Sequence, residues 1–282
     1  MKKHYTLIMA ALATCMLGHA QVTKFLDGNN VRAGISTGGG LFCKLDTVGN
    51  TAGDTTFGLF EVPRGSGIKA VYAASIGMAG LDANNNLHCS AQRYSATDFF
   101  NGPLGIPYNQ AYRNYFNRVF KVTNQELTVL INVPAPRPAG QISQDVLLWP
   151  AKGNPHVQSA FGINITDDLA PFVDLYPDGI YDPVMGDLPA ICGSQGIFFV
   201  FNDVYGPQDD STGANLGVEI RGMAEVYDDP TFGPYVYGKQ AANNAVFVRY
   251  QIENKSSASY NNFYISLYED MDLGCFENDY IG

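Results

Sequence analysis

The stretch richest in possible chemistry is Asp174-Leu175-Tyr176-Pro177-Asp178-Gly179-Ile180-Tyr181-Asp182-Pro183-Val184-Met185-Gly186-Asp187. Counted from Asp174, carboxylates fall at positions 1, 5 and 9 with a glycine at 6, as at the start of an EF-hand loop. Calcium takes roughly six to eight oxygen ligands, and short acidic loops with a sharp glycine turn supply them. The Ile180 carbonyl would sit at position 7. Tyr176 at position 3 and Met185 at position 12 depart from the EF-hand pattern, and Asp187 is the carboxylate that could replace the missing one. Asp174, Asp178, Ile180, Asp182 and Asp187 are therefore the candidate Ca2+ ligands, in a loop expected to join strands rather than helices. The competing reading is a solvated Asp/Pro/Gly turn. A second acidic cluster, Glu269, Asp270, Asp272, Glu277 and Asp279, contains a weaker candidate metal site at Asp270, Asp272 and Asp279.

Strings that resemble catalytic motifs sit in the wrong context. Gly34-Ile35-Ser36-Thr37-Gly38 matches a nucleophile elbow, but that elbow requires a following helix, and Gly39-Gly40 and an extended segment follow instead. Ser66-Gly67-Ile68-Lys69 and Gly65-Ser66-Gly67-Ile68-Lys69-Ala70 imitate an S-x-x-K motif and a dinucleotide fingerprint. Both run into the strand-like Val71-Tyr72-Ala73-Ala74, so a hairpin turn is expected there. Downstream of residue 20 the only histidines are His88 and His156, too few and too isolated for a histidine-rich zinc site. No catalytic residue and no organic cofactor is assigned.

The elements that must hold these residues follow from export and patterning. Lys2 and Lys3, the apolar run Tyr5–Leu17 and Gly18-His19-Ala20 before Gln21 read as a signal peptide over residues 1–20. Leu12-Ala13-Thr14-Cys15 has the outline of a lipoprotein box, with Thr14 bulky for the position before a lipidated cysteine. No apolar run reaches the roughly 20 residues of a membrane helix, so a secreted or cell-surface location without a transmembrane segment is expected. The formal net charge of -10 argues against a nucleic-acid partner. With 46% hydrophobic residues and only 16% charged, the chain has ample material for a core. Cys43, Cys89, Cys192 and Cys275 remain after processing, with no C-x-x-C pair. In an oxidising compartment they suggest two disulfides, Cys43 to Cys89 being one option among three connectivities, against four buried free thiols.

Abundant Gly, Pro, Tyr and Phe fit strands joined by turns. Half-buried alternation is read in Val246, Val248, Tyr250 and Ile252, in Val218, Ile220, Ala224 and Val226, and in Phe263, Ile265 and Leu267. The unbroken run Ile197–Phe201 reads as a strand buried on both faces. Further strands are expected near residues 31–36, 40–45, 57–62, 68–79 and 87–94. Tyr108, Ala111, Tyr112, Tyr115 and Phe116 have helical spacing. Thr123-Asn124-Gln125-Glu126 is a capping box that opens a short helix near 124–131, with Leu127, Leu130 and Ile131 on one face. Pro134–Gly140 reads as a junction between β-rich regions at 21–133 and 141–282. The expected fold is all-β, an antiparallel, jelly-roll-like β-sandwich with two lobes as a variant.

A family resemblance rests on the order of several short motifs. These are Gly39-Gly40-Leu41-Phe42, Phe60-Glu61-Val62-Pro63-Arg64-Gly65-Ser66-Gly67, Ala79-Gly80-Leu81-Asp82, Gly102-Pro103-Leu104, Trp149-Pro150-Ala151-Lys152-Gly153, Leu169-Ala170-Pro171-Phe172, Asp178-Gly179-Ile180-Tyr181-Asp182-Pro183, Phe201-Asn202-Asp203, Gly217-Val218-Glu219-Ile220 and Asp270-Met271-Asp272-Leu273-Gly274. In this order the chain resembles the N-terminal region of large secreted Bacteroidetes proteins that carry a C-terminal type IX secretion sorting domain. The resemblance implies export and a β-rich fold, and no defined reaction. Ser75-Ile76-Gly77-Met78 departs from it where a Trp-containing strand is expected. Asp279-Tyr280-Ile281-Gly282 lies inside what resembles a continuing acidic motif, so the chain reads as a fragment without the sorting domain.

Two function classes follow. One is a non-catalytic structural or adhesive module with a calcium-stabilised loop, whose partner is a surface polysaccharide or another cell-surface protein. The other is a carbohydrate-binding module or a glycoside hydrolase with paired carboxylates, which requires two carboxyls about 5–10 Å apart across a cleft.

Overall fold

The computed structural model describes residues 22–43, 58–93, 98–228 and 241–273. The signal segment, Cys275, Glu277 and Asp279 lie outside them.

In chain order the strands are β1 (Thr23–Leu26), β2 (Arg32–Ser36), β3 (Phe60–Glu61), β4 (Lys69–Leu81), β5 (Leu87–Ser90) and β6 (Phe100–Asn101). Helix α1 (Gln110–Phe116), strand β7 (Phe120–Thr123) and helices α2 (Asn124–Ile131), α3 (Gln144–Leu147) and α4 (Pro155–Phe161) come next. The ribbon β8 (Phe172–Val173) and β9 (Leu188–Pro189) precedes β10 (Gln195–Asn202), β11 (Val218–Val226), β12 (Phe247–Asn254) and β13 (Asn261–Met271). The first sheet runs β1-β2-β3-β4-β13 with β5 also on β4; the second runs β12-β11-β10-β6 with β7 also on β10, and every ladder is antiparallel. This is the expected all-β, sandwich-like architecture. No helix among the described residues is long and apolar enough to cross a membrane.

The two sheets pack through Leu26, Ile35, Ile76 and Met78 on one side and Ile197, Phe199, Phe201 and Ile220 on the other. A β-sheet needs its apolar face covered, and here the second sheet is covered twice. Its outer face, with Phe198, Val200 and Met223, lies under a layer of short helices and loops built around Tyr112, Tyr115, Val146, Trp149 and Tyr181. Ile197–Phe201 is thus buried on both faces, as read. Strand β11 is not half-buried as its alternation implied: all nine residues are buried, because the covering layer seals the face that carries Glu219, Arg221 and Glu225. Arg221 is held there by Glu219, Glu253 and the Asp168 carbonyl. Gly222 is required by a close approach, since a Cβ there would lie 2.2 Å from the Phe199 ring.

Helix α2 carries the expected capping box: Thr123 Oγ1 accepts from Glu126 N–H and Glu126 accepts from Thr123 N–H. Leu127 and Leu130 point inward, while Ile131 is exposed, a correction to the three-residue face. The helical spacing after Tyr108 corresponds to α1, opened by Asn109 as N-cap. Phe263, Ile265 and Leu267 also differ from expectation. They are exposed; among the described residues β13 pairs with β4 alone.

Both sheets draw strands from either side of Pro134–Gly140, so that segment does not mark a boundary between lobes. Cys43, Cys89 and Cys192 are all free thiols, which removes the Cys43–Cys89 bridge and any two-disulfide framework. Burial among apolar neighbours pushes the Cys43 thiol up to about 12, so it is inert as a nucleophile.

Candidate functional site

The acidic loop lies where the sequence placed it, between strands. Residues 174–187 connect β8 to β9, whose ladder pairs Phe172 with Pro189 and Val173 with Leu188. Asp187 closes the base of the loop. One of its oxygens accepts from the Leu175 and Tyr176 N–H groups at 2.9 and 3.1 Å, the other from Asp182 N–H at 2.8 Å, and the side chain is buried. Asp174 Oδ2 accepts from Gly179 N–H and Asp178 Oδ1 from Ile180 N–H. Asp182 Oδ1 accepts from Val184 N–H and lies 3.1 Å from His156 Nε2.

Each candidate carboxylate is thus turned onto a backbone amide of its own loop, the habit that makes Asp a turn residue. Among the described residues no three His, Cys, Asp or Glu side chains converge on a common point, here or elsewhere. The donor set as arranged does not form a calcium cage. Of the carboxylate oxygens in this loop, Asp174 Oδ1 alone is buried and without a hydrogen-bond partner. In the second cluster, Asp270 lies on β13 and Asp272 just beyond it, its N–H donating to the Ala70 carbonyl.

The floor under the loop is equally fixed. Arg137, from the Pro-rich segment, is buried and donates to the carbonyls of Val133, Pro183 and Asp187. Tyr181 is fully buried, and its hydroxyl donates to the Val146 carbonyl. Burial pushes its phenol well above the ordinary range, and the neighbouring Asp187 charge adds to that. Burial lowers Arg137 despite the pull of Tyr181 and Asp187 in the other direction. The loop therefore rests on a fixed polar floor and leaves apolar side chains exposed: Leu175, Tyr176, Ile180 and Met185, with Val173 just before them on β8, are all exposed, Leu175 by 48% and Tyr176 by 52%. That crown was not read from the sequence. Its signal was the apolar residue placed between successive acids.

The chain matches no protein-family model, no curated protein and no solved structure. Chemistry must be read from the residues themselves. Ser36 of the elbow-like string is buried, and its hydroxyl donates to the Cys43 carbonyl. Gly65 and Gly67 take left-handed turns between β3 and β4, the expected hairpin. His88 ties its segment to the Asn215 carbonyl and Asp82, much as His156 ties α4 to Asp182. A groove of about 650 Å³ runs between the Asp168–Phe172 segment and β12, with Arg221, Arg249 and Gln251 facing Leu169, Pro171 and Met223. Asp168 is the one carboxylate among its lining residues, so the groove does not present the facing pair a hydrolase needs.

Proposed function

We propose that this chain is an exported, non-catalytic module of the cell surface or medium that adheres to a surface partner through the apolar crown of the Asp174–Asp187 loop. The observation that carries the reading is the combination of four exposed apolar side chains, Leu175, Tyr176, Ile180 and Met185, with a backbone fixed by Asp174, Asp178, Asp182 and Asp187. Large apolar side chains left exposed along one short segment suit an interaction site, and a loop already held in one conformation loses little entropy on binding. The extracellular placement rests on the signal-like residues 1–20 and on the resemblance to secreted Bacteroidetes proteins.

The test is attachment of protein-coated beads to whole bacterial cells. Leu175→Ser with Tyr176→Ser is expected to reduce attachment at least tenfold, while Arg249→Ala leaves it unchanged. A carbohydrate-binding module is the second reading, favoured by the groove along β12 with Arg249 and Gln251 on its wall. It would give the opposite result: soluble oligosaccharide would block attachment, and Arg249→Ala would abolish it.

A calcium-bound form of the same loop is the competing reading, favoured by the unpartnered Asp174 Oδ1. The amide-stapled arrangement predicts that a chelator shifts the melting temperature by less than about 1 °C. It also predicts that Asp187→Ala lowers it by a few degrees with or without calcium, since three part-buried N–H donors, of Leu175, Tyr176 and Asp182, lose their acceptor, each at about 1 kcal/mol, the low end of the range for unsatisfied groups. A chelator-induced drop that Asp178→Ala abolishes would instead support a calcium-bound loop.

A further inference from the structure

The groove between the Asp168–Phe172 segment and β12 has the size of a small-molecule site, and its two walls are set before anything enters. On one side, the Pro171 carbonyl accepts from Trp149 Nε1–H at 3.0 Å and from the Ala190 N–H. Ala170 N–H donates to the Pro150 carbonyl, and Arg221 donates to the Asp168 carbonyl at 2.8 Å. On the other side, β12 is paired with β11 along its whole length.

The lining divides into an apolar floor and a short polar wall. Leu169, Phe198 and Met223 are buried and form the floor, with Pro171 and Phe172 at the lip. The wall is Arg249 and Gln251, which the pleat of β12 sets on one face, opposite Met223 and Arg221 of β11. The other charges of the lining are already satisfied: Arg221 is paired with Glu219 and Glu253, and Asp168 with Lys152 at 3.5 Å. Arg249 differs. It is exposed, its cross-strand neighbour is a thioether, and among the described residues no hydrogen bond or ion pair holds its guanidinium. Glu225, diagonal to it on β11, is turned instead onto the Cys192 and Gly193 N–H groups at 2.6 and 3.1 Å.

An unpaired guanidinium beside an apolar floor is complementary to a single carboxylate on an apolar body, since its planar fork takes both oxygens together. Glu253 lies four residues further along β12, about 14 Å at 3.4 Å per residue. That exceeds the roughly 8 Å screening length at physiological salt, so it does not repel a head group seated at Arg249. A sugar fits less well, because no ring is left to stack on. Phe198 is buried, Phe172 packs edge-on to Tyr181, and Tyr250 packs edge-on to Phe199 on the far face.

We infer that this groove binds a medium-length aliphatic carboxylate, its head group on Arg249 and Gln251 and its chain along Leu169, Pro171 and Met223. The site shares no residue with the Asp174–Asp187 loop and does not depend on the adhesive reading. For a ligand the size of decanoate, the expected dissociation constant is on the order of 100 µM.

Decanoate is the probe, followed by titration calorimetry and by the emission of Trp149, the single tryptophan, which packs against Phe198 and donates to Pro171. Saturable binding at one site is expected, weakened at least tenfold in Arg249→Gln and unchanged in Lys69→Gln on the first sheet, with both variants melting as the unmutated protein does. Methyl decanoate keeps the chain and loses the charge. It should bind at least tenfold more weakly than decanoate, and equally to the unmutated protein and to Arg249→Gln. Hexanoate, with a shorter chain to bury, should also lose at least tenfold. No saturable binding up to about 5 mM, acid and ester that bind alike, or an Arg249→Gln variant that binds as before would each overturn the inference. Glucuronate or a soluble oligosaccharide binding more tightly than decanoate would overturn it as well, and would give the groove to a sugar. Decanoate should leave the attachment of coated beads to cells unchanged, so this inference and the adhesive reading fail separately.

Discussion

Asp203→Ala is expected to lower the midpoint of thermal unfolding by on the order of 10 °C, at about 2–4 °C per kcal/mol for a protein of this size. Asp203 is fully buried at the end of β10. Its Oδ2 accepts from the Ser90 hydroxyl and the Leu216 N–H, and its Oδ1 from the Val218 N–H. One side chain thus joins β5 of the first sheet to β10 and to the entry of β11 in the second. Removing it strands two backbone donors and a hydroxyl away from water, at about 1–3 kcal/mol for each group left unsatisfied. The summed loss expected is about 4 kcal/mol, since some donors will recover water. Asp203→Asn keeps one acceptor oxygen and should fall between. A loss below about 1 kcal/mol for Asp203→Ala would show that the carboxylate does not bind the sheets together.

Trp149→Ala should cost about 3–5 kcal/mol, the range for truncating a large buried aromatic. Trp149 is fully buried in the layer that covers the second sheet, tilted against Phe198, edge-on to Phe120, and its Nε1–H donates to the Pro171 carbonyl at 3.0 Å. Alanine therefore opens a cavity and orphans a carbonyl in the segment that leads into β8 and the acidic loop. Trp149→Phe refills most of the cavity without the donor and should lose roughly half as much. Urea unfolding followed by far-ultraviolet circular dichroism measures both. An unchanged urea midpoint for the alanine variant would mean that the covering layer lies outside the cooperative core. Because the chain has a single tryptophan, its emission in the unmutated protein reports that layer alone.

The sequence made legible what depends on periodicity and on local capping. The run Ile197–Phe201, the alternation of Val246–Ile252 and the capping box at Thr123 each correspond to an element within a residue or two. What stayed hidden depends on neighbours far along the chain. Glu219, Arg221 and Glu225 alternate as a solvent-facing strand would, and only the layer formed by residues 103–192 buries them. Phe263, Ile265 and Leu267 carry the opposite mismatch, apolar by pattern and exposed by position. Helix α4 was missed although its punctuation is local: Asn154 caps its N-terminus, Pro155 is its first residue and Gly162 ends it in a left-handed turn. In the acidic loop the count of carboxylates was plain, but not their direction. An Asp that takes its own loop's amides and one that takes a cation have the same letter, and only the backbone course separates them.

The long ladder between β4 and β13 bears on how the chain acquires its shape. Gly77 finds Ser266 across most of the polypeptide, and β5, the β4 neighbour on the other side, reaches the second sheet through Asp203. Pairings of such sequence separation form late, since loop closure must be overcome before they stabilise anything. A chain emerging from the ribosome N-terminus first therefore presents an incomplete first sheet, with strand edges unpaired, until β13 arrives.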